Sequence, residues 1–162
     1  MVDFISDEMN NLMNKQIVEE IRSGYIYLGM AAWAEEQGLK GLAAFMKTHA
    51  ETEEYVHAQK FVHYIQEAGG KVEYGTIEKV STDYESVEQV LEEAIGHEEH
   101  ITSTIKNLMD LAQEKKEYYA YEMLNWFLQE QMEEENLFTD LYDQYKLMGK
   151  RLGLWDSKIS HP

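Results

Sequence analysis

The chain of 162 residues contains no cysteine, and its single proline, Pro162, stands at the last position. Without cysteine there is no disulfide, no thiolate nucleophile and no Cys-ligated zinc or iron-sulfur centre. With no internal proline, nothing of that kind interrupts a long helix. Basic residues are scarce as well: 14 Lys and Arg stand against 31 Asp and Glu, a formal charge of -17. A surface of that sign repels nucleic-acid phosphates and anionic lipid, so no nucleic acid and no membrane is expected as a partner, whereas cations are. No stretch approaches the roughly 18 uninterrupted apolar residues of a membrane helix, and the N-terminus has no basic start followed by an apolar run. The expected localisation is cytoplasmic.

What is present favours helix. Hydrophobic residues make up 44% of the chain, enough for the core of one globular domain. Glu, Leu, Ala, Met, Gln and Lys, all good helix formers, dominate it. Four long periodic segments span residues 7–36, 39–68, 85–113 and 117–148, with breaks at Gly38 and Gly41, at Gly69-Gly70 and at Gln113 to Lys116. The first and third links are short, so helices one and two should pack antiparallel, as should three and four. The middle link, Gly69 to Tyr84, reaches about 53 Å at about 3.3 Å per residue, long enough to run the length of a bundle. The expected fold is therefore all-α: a four-helix bundle over residues 1–150 with a long crossover between helices two and three, then a short tail over 151–162.

Each apolar stripe is interrupted near its midpoint by an acid. Advancing about 100° per residue from Glu20 gathers Met9, Met13, Ile17, Gly24, Tyr27, Ala31 and Ala34 within about 60° of it. The same count around Glu98 gathers Leu91, Ala94, Ile101, Ile105 and Met109. On the last helix Glu134 lies among Met123, Phe127, Phe138, Leu141 and Tyr145, with Glu130 and Gln131 on that face.

The second helix carries a register jump. Glu54, His57, Ala58, Phe61 and Ile65 share one face, while Leu39, Leu42, Met46 and His49 form the stripe above it; the step from His49 to Glu54 is five. A regular α-helix cannot keep both halves inward. One inserted residue restores the register, so a π-bulge or local unwinding is expected between His49 and Glu54.

A single acid on a helix face is most simply a partly exposed or ion-paired side chain. Four at matching depth, with no basic residue at the inward positions, are another matter, because an unpaired buried carboxylate costs several kcal/mol. Four carboxylates are neutralised by two divalent cations. Glu54 and His57 form the one Glu-x-x-His on a buried face, setting a carboxylate and an imidazole one turn apart. With Glu20, Glu98 and Glu134 this makes an oxygen-rich, one-His environment suited to iron(II), although zinc also fits it.

These residues resemble the non-haem ferritins of bacteria and archaea. The matching elements are Glu20 with Tyr27, Glu53-Glu54-Tyr55-Val56-His57, His97-Glu98 followed by Ile101-Thr102, and Trp126 followed by Glu130-Gln131 and Glu133-Glu134-Glu135. The resemblance covers residues from about 8 to 150 and implies a ferritin-like four-helix bundle that stores iron, oxidises Fe(II) with O2 or peroxide, and assembles as a homo-oligomeric cage, a 24-mer in the family. It implies a di-iron centre in which one iron is held by Glu20, Glu54 and His57 and the other by Glu54, Glu98 and Glu134. It further implies Gln131 beside the second iron, Tyr27 as hydrogen-bond donor and electron source, and a third iron position at Glu53, Glu130 and Glu133 with Glu134 shared. The haem-binding relatives carry a second Glu-x-x-His on the last helix and a Met just after the first site's Glu. Here Leu137 and Tyr55 stand at those places, so no haem is expected.

Against the family pattern, the segment from Met46 to His57 is one residue longer, and the tail lacks a full amphipathic fifth helix. His97 and His100 point away from the acids, and His63 and His161 have no partner pattern. Two other readings remain open on sequence: a diiron oxidase or peroxidase that stores nothing, and a non-enzymatic acidic helical protein whose buried acids are protonated or paired.

Overall fold

In the computed structural model, which describes residues 4–162, the periodic segments become four rods. The first is α1 (Asp7–Glu36). The second comprises α2 (Lys40–His49), a π-helical segment (Ala50–Glu54) and α3 (Tyr55–Glu67) in one continuous line. The third and fourth are α4 (Val87–Glu114) and α5 (Tyr118–Leu147), and a short α6 (Leu152–Lys158) follows. The register jump is thus resolved as expected, by a π-helical insertion between His49 and Glu54.

Local chemistry sets the helix ends. Ser6 caps α1 by accepting a hydrogen bond from Met9 N at 3.2 Å, with Asp7 and Glu8 in the first turn, where the helix dipole favours negative charge. Ser86 caps α4 through Gln89 N at 3.1 Å, and Gln89 Oε1 accepts in return from Glu85 N at 2.7 Å, much as in a capping box. Gly38 and Gly69 end their rods at φ of 77° and 84°, which glycine adopts without strain. The turn into α5 uses Lys116 at φ 57° instead.

Residues 68–86 form the long crossover, which runs along α1. Asn10 and Asn14 both donate to Lys71 O, at 3.1 and 2.8 Å, and accept from the main-chain N of Lys71 and Glu73. Further along, Gly29 lets the crossover press against α1, since a Cβ there would stand 2.2 Å from Ser81 O. Near the end of α1, Tyr84 packs edge-on against Trp33. The link thus travels from one end of α1 to the other, which makes α3 and α4 parallel.

The tail is short but tied down. Trp155 is buried against Tyr145 and donates from Nε1 to Leu141 O at 3.1 Å. Asp156 then supplies the N-terminal acceptor that α2 lacks in its own sequence, taking Gly41 N at 3.0 Å and Leu42 N at 2.8 Å. Inside the bundle, one apolar cluster including Met30, Leu42, Met46 and Leu91 lies toward α6. A second, including Met13, Ile17, Phe61 and Ile105, fills the opposite half. Between them lies a polar layer.

Candidate metal centre

Glu20, Glu54, Glu98 and Glu134 all project into that layer and are at most 4% exposed, a burial unpaired acids rarely reach. Each comes from a different rod, α1, the π segment, α4 and α5 in turn. Among the described residues, one ligand atom from each member of three groups lies within 4.8 Å of the others. The first group is Glu20, Glu54 and His57; the second is His49, Glu54, Glu98 and Glu134; the third is Glu53, His57, Glu130 and Glu134. Glu54 therefore joins the first group to the second, and Glu134 the second to the third.

His57 joins the first group to the third through its two nitrogens. Nδ1 is 3.8 Å from Glu20 Oε2, and Nε2 is 3.9 Å from both Glu53 Oε2 and Glu130 Oε2. The ring is held edge-on between Trp126 and Phe127.

Neighbouring donors fix the carboxylates. The Tyr27 hydroxyl donates a short hydrogen bond to Glu98 Oε1, and Gln131 Nε2 donates to Glu98 Oε2 at 3.0 Å and to its main-chain oxygen at 3.2 Å. Gln16, which sequence reasoning passed over, donates to Glu20 Oε1 at 3.1 Å. The signal was available: Gln16 lies four residues before Glu20, on the same face of α1.

Crowding of the acids raises the pKa of Glu54 and Glu98. Burial, followed by Glu98 and Glu20, pushes Glu54 well above the ordinary carboxyl value. Burial and then Glu134 lift Glu98 to about 7, against the hydrogen bonds from Tyr27 and Gln131. Burial pulls His57 down, but Glu20 and then Glu54 outweigh it and bring the imidazole to about 9. Burial, then Glu98, drives Tyr27 well above the ordinary phenol value. Without a cation the layer is short of positive charge and retains protons.

Hydrogen bonding tells the same story. Among the described residues, the buried side-chain atoms left without a partner are Glu20 Oε2, Glu54 Oε1, Glu134 Oε2, His49 Nε2, both nitrogens of His57, and one atom elsewhere, Tyr64 Oη. Each such group costs about 1–3 kcal/mol, more when charged. That so many converge on one layer is the pattern of ligands facing a shared cation, and carboxylate and imidazole donors suit iron.

A family model of the ferritin-like domain matches residues 10–148. The chain belongs to the ferritin family. This ferritin is 36% identical over 146 residues to a probable bacterial non-heme ferritin-like protein of Haemophilus influenzae, covering 90% of this chain and 88% of that one. It is 35% identical over 146 residues to the bacterial non-heme ferritin of Campylobacter jejuni, covering 90% and 87%. Its fold matches an open pore ferritin from the archaeon Archaeoglobus fulgidus with a TM-score of 0.92, at 32% identity over 96% of each chain. It is a bacterial or archaeal type of non-haem ferritin, an iron-storage protein whose buried Glu and His groups are consistent with a di-iron site. Among the described residues no helix is long and apolar enough to cross a membrane.

Of the residues singled out in the sequence, Glu20, Glu53, Glu54, His57, Glu98, Glu130 and Glu134 fall within the three groups, with Tyr27 and Gln131 bonded to Glu98. Glu133 is exposed and joins none of them. His97 and His100 point elsewhere, to Ser23 at 2.6 Å and Glu19 at 3.1 Å. His161 does have a partner, contrary to the sequence reading: its Nε2 lies 2.9 Å from His49 Nδ1. Periodicity puts His49 in an inward stripe and does not mark it as a site residue. Its spacing of five from Glu54 was the signal, and the π segment makes that spacing inward.

Proposed function

We propose that this ferritin subunit is a ferroxidase that feeds an iron store. The observation that carries the reading is the sharing of Glu54 between two buried ligand groups, one containing Glu20 and His57, the other Glu98 and Glu134. Two Fe(II) ions bind as substrate, the first by Glu20, Glu54 and His57, the second by Glu54, Glu98 and Glu134, with Glu54 bridging. Each Fe(II) gives up one electron. With O2 as oxidant, the two electrons and two protons give hydrogen peroxide; with peroxide as oxidant, they give water. Holding two ions side by side lets the electrons leave as a pair, which limits radical release.

The surrounding residues have distinct tasks. Gln131 and Tyr27 hold Glu98, and Tyr27 is an electron source beside the pair. Glu53, Glu130 and the shared Glu134 hold a third ion, and exposed Glu133 adds negative field beside Glu130. Fe(III) then moves to the cavity of a homo-oligomeric cage of twenty-four subunits in the cytoplasm. Apolar side chains at the surface support assembly: Tyr25, Leu28 and Tyr55 are 42% to 62% exposed and line one cleft between α1 and the π segment.

The test is aerobic Fe(II) titration followed in the near-ultraviolet, with light scattering for assembly mass. Glu54→Ala and His57→Ala should lose rapid oxidation and keep the helical fold. Wild-type rates in either variant would refute the site assignment. A small oligomer that oxidises iron without accumulating mineral would mark a diiron oxidase instead of a store.

A further inference from the structure

One fully buried imidazole remains outside the two ligand sets just proposed. His49 ends α2 and projects from it into the polar layer, with Nε2 2.9 Å from Glu134 Oε2 and 3.2 Å from Glu54 Oε1. Neither contact satisfies His49 Nε2 as a hydrogen bond. Two ligands at right angles on one ion, with bonds of about 2.1 Å, lie about 3.0 Å apart, so these separations are those of neighbouring donors on a metal.

Proton bookkeeping points the same way. The Pro162 main-chain oxygen can only accept, so in the 2.9 Å contact with it His161 Nδ1 carries the proton. In neutral His161, Nε2 then accepts, and His49 Nδ1 donates across 2.9 Å. That leaves His49 Nε2 facing two carboxylates, a place that a proton holds in the metal-free layer and that a bound cation takes over. The ring is fixed for the purpose, stacked on Phe45 and edge-on to Tyr27 and Phe138.

We infer that His49 is a nitrogen ligand of the second iron, oriented by His161 from the C-terminal segment. The inference rests on the di-iron reading and extends it. The second ion is then held by His49, Glu54, Glu98 and Glu134, so each iron has one imidazole and Glu54 lies between them. The π segment is what permits this: five residues along a regular helix would turn His49 and Glu54 about 140° apart. His161 is a positioning residue of the kind that fixes a ligand's tautomer and ring orientation. An imidazole in place of one more oxygen also favours later first-row divalent ions over magnesium.

Anaerobic titration of metal-free protein with Co(II) alone, read by visible absorption and binding heat, tests this in wild type, His49→Gln, His161→Ala and His57→Ala. In wild type both intrabundle positions should fill tightly. His49→Gln should weaken one of them by more than about 100-fold and shift its absorption bands as a nitrogen donor is lost. His161→Ala, which removes no ligand, should weaken that same position by about 10- to 100-fold. It also keeps the test decisive if His49→Gln fails to fold. If wild type binds the pair but His161→Ala, together with His49→Gln where it folds, leaves affinity and spectrum unchanged, the inference is overturned and the di-iron reading stands. If wild type binds no pair, or His57→Ala changes nothing, the di-iron reading falls and the inference falls with it.

Discussion

The two apolar clusters and the polar layer between them are equally buried and built on opposite terms. In the clusters, side chains such as Ile17, Ile105 and Leu42 are fully shielded and leave no polar atom behind. Each of these stabilises the fold by about 1.5–3 kcal/mol. In the layer, carboxylates and imidazoles at the same depth leave donor and acceptor atoms unpaired. The flanking clusters hold the rods together, and the layer uses that rigidity to keep mutually repelling groups within reach of one another. The lesson is that burial alone does not mark a stabilising residue; what decides is whether the buried atoms are satisfied by protein or require a cation.

Substitutions should separate the two regions. The largest effect on folding is expected in a cluster: Ile105→Ala should cost about 2–5 kcal/mol by chemical denaturation while the folded fraction binds metal as before. The layer should answer to pH instead. Glu98 is raised from 4.5 to about 7, so as pH climbs between those values the unfolded chain gives up its proton first and the metal-free fold loses stability. His57 is raised from 6.5 to about 9; its contribution is complete below 6.5 and is lost as pH rises through 9. Both shifts run the same way, so thermal denaturation of metal-free protein should show falling stability from about pH 5 to 9, while metal affinity rises as the competing protons leave. Tyr27→Phe removes a donor to Glu98 without removing a ligand and should slow Fe(II) oxidation by about 10-fold in stopped-flow measurements. Smallest of all, Ser6→Ala should cost about 1 kcal/mol through its lost helix cap and leave iron chemistry untouched.

Much of this was legible in the sequence because helical periodicity reports which residues face inward. Glu20, Glu54, Glu98 and Glu134 stood out as acids within apolar stripes, and the step of five from His49 to Glu54 announced the π segment. Periodicity does not say what an inward face meets. The pairing of His49 with Glu134 joins α2 to α5, and that with His161 reaches the tail, 112 residues along the chain. Asp156 caps α2 from a similar distance, and Asn10 and Asn14 moor a crossover that composition marked only as a long link. The third position was read from an acidic run in which Glu130 faces His57 and Glu133 faces outward, a distinction made by packing against α3.

A layer of unpaired buried acids opposes the fold until cations neutralise it. The most direct measurement is the melting temperature of wild type and Glu54→Gln at pH 8, each metal-free and in the presence of Co(II). Glu54→Gln should be the more stable protein without metal, and Co(II) should raise wild type above it, because binding to the folded state alone adds stability. A wild type that melts at the same temperature with and without Co(II), and above Glu54→Gln in both, would mean that the layer stabilises the fold on its own and holds no cation.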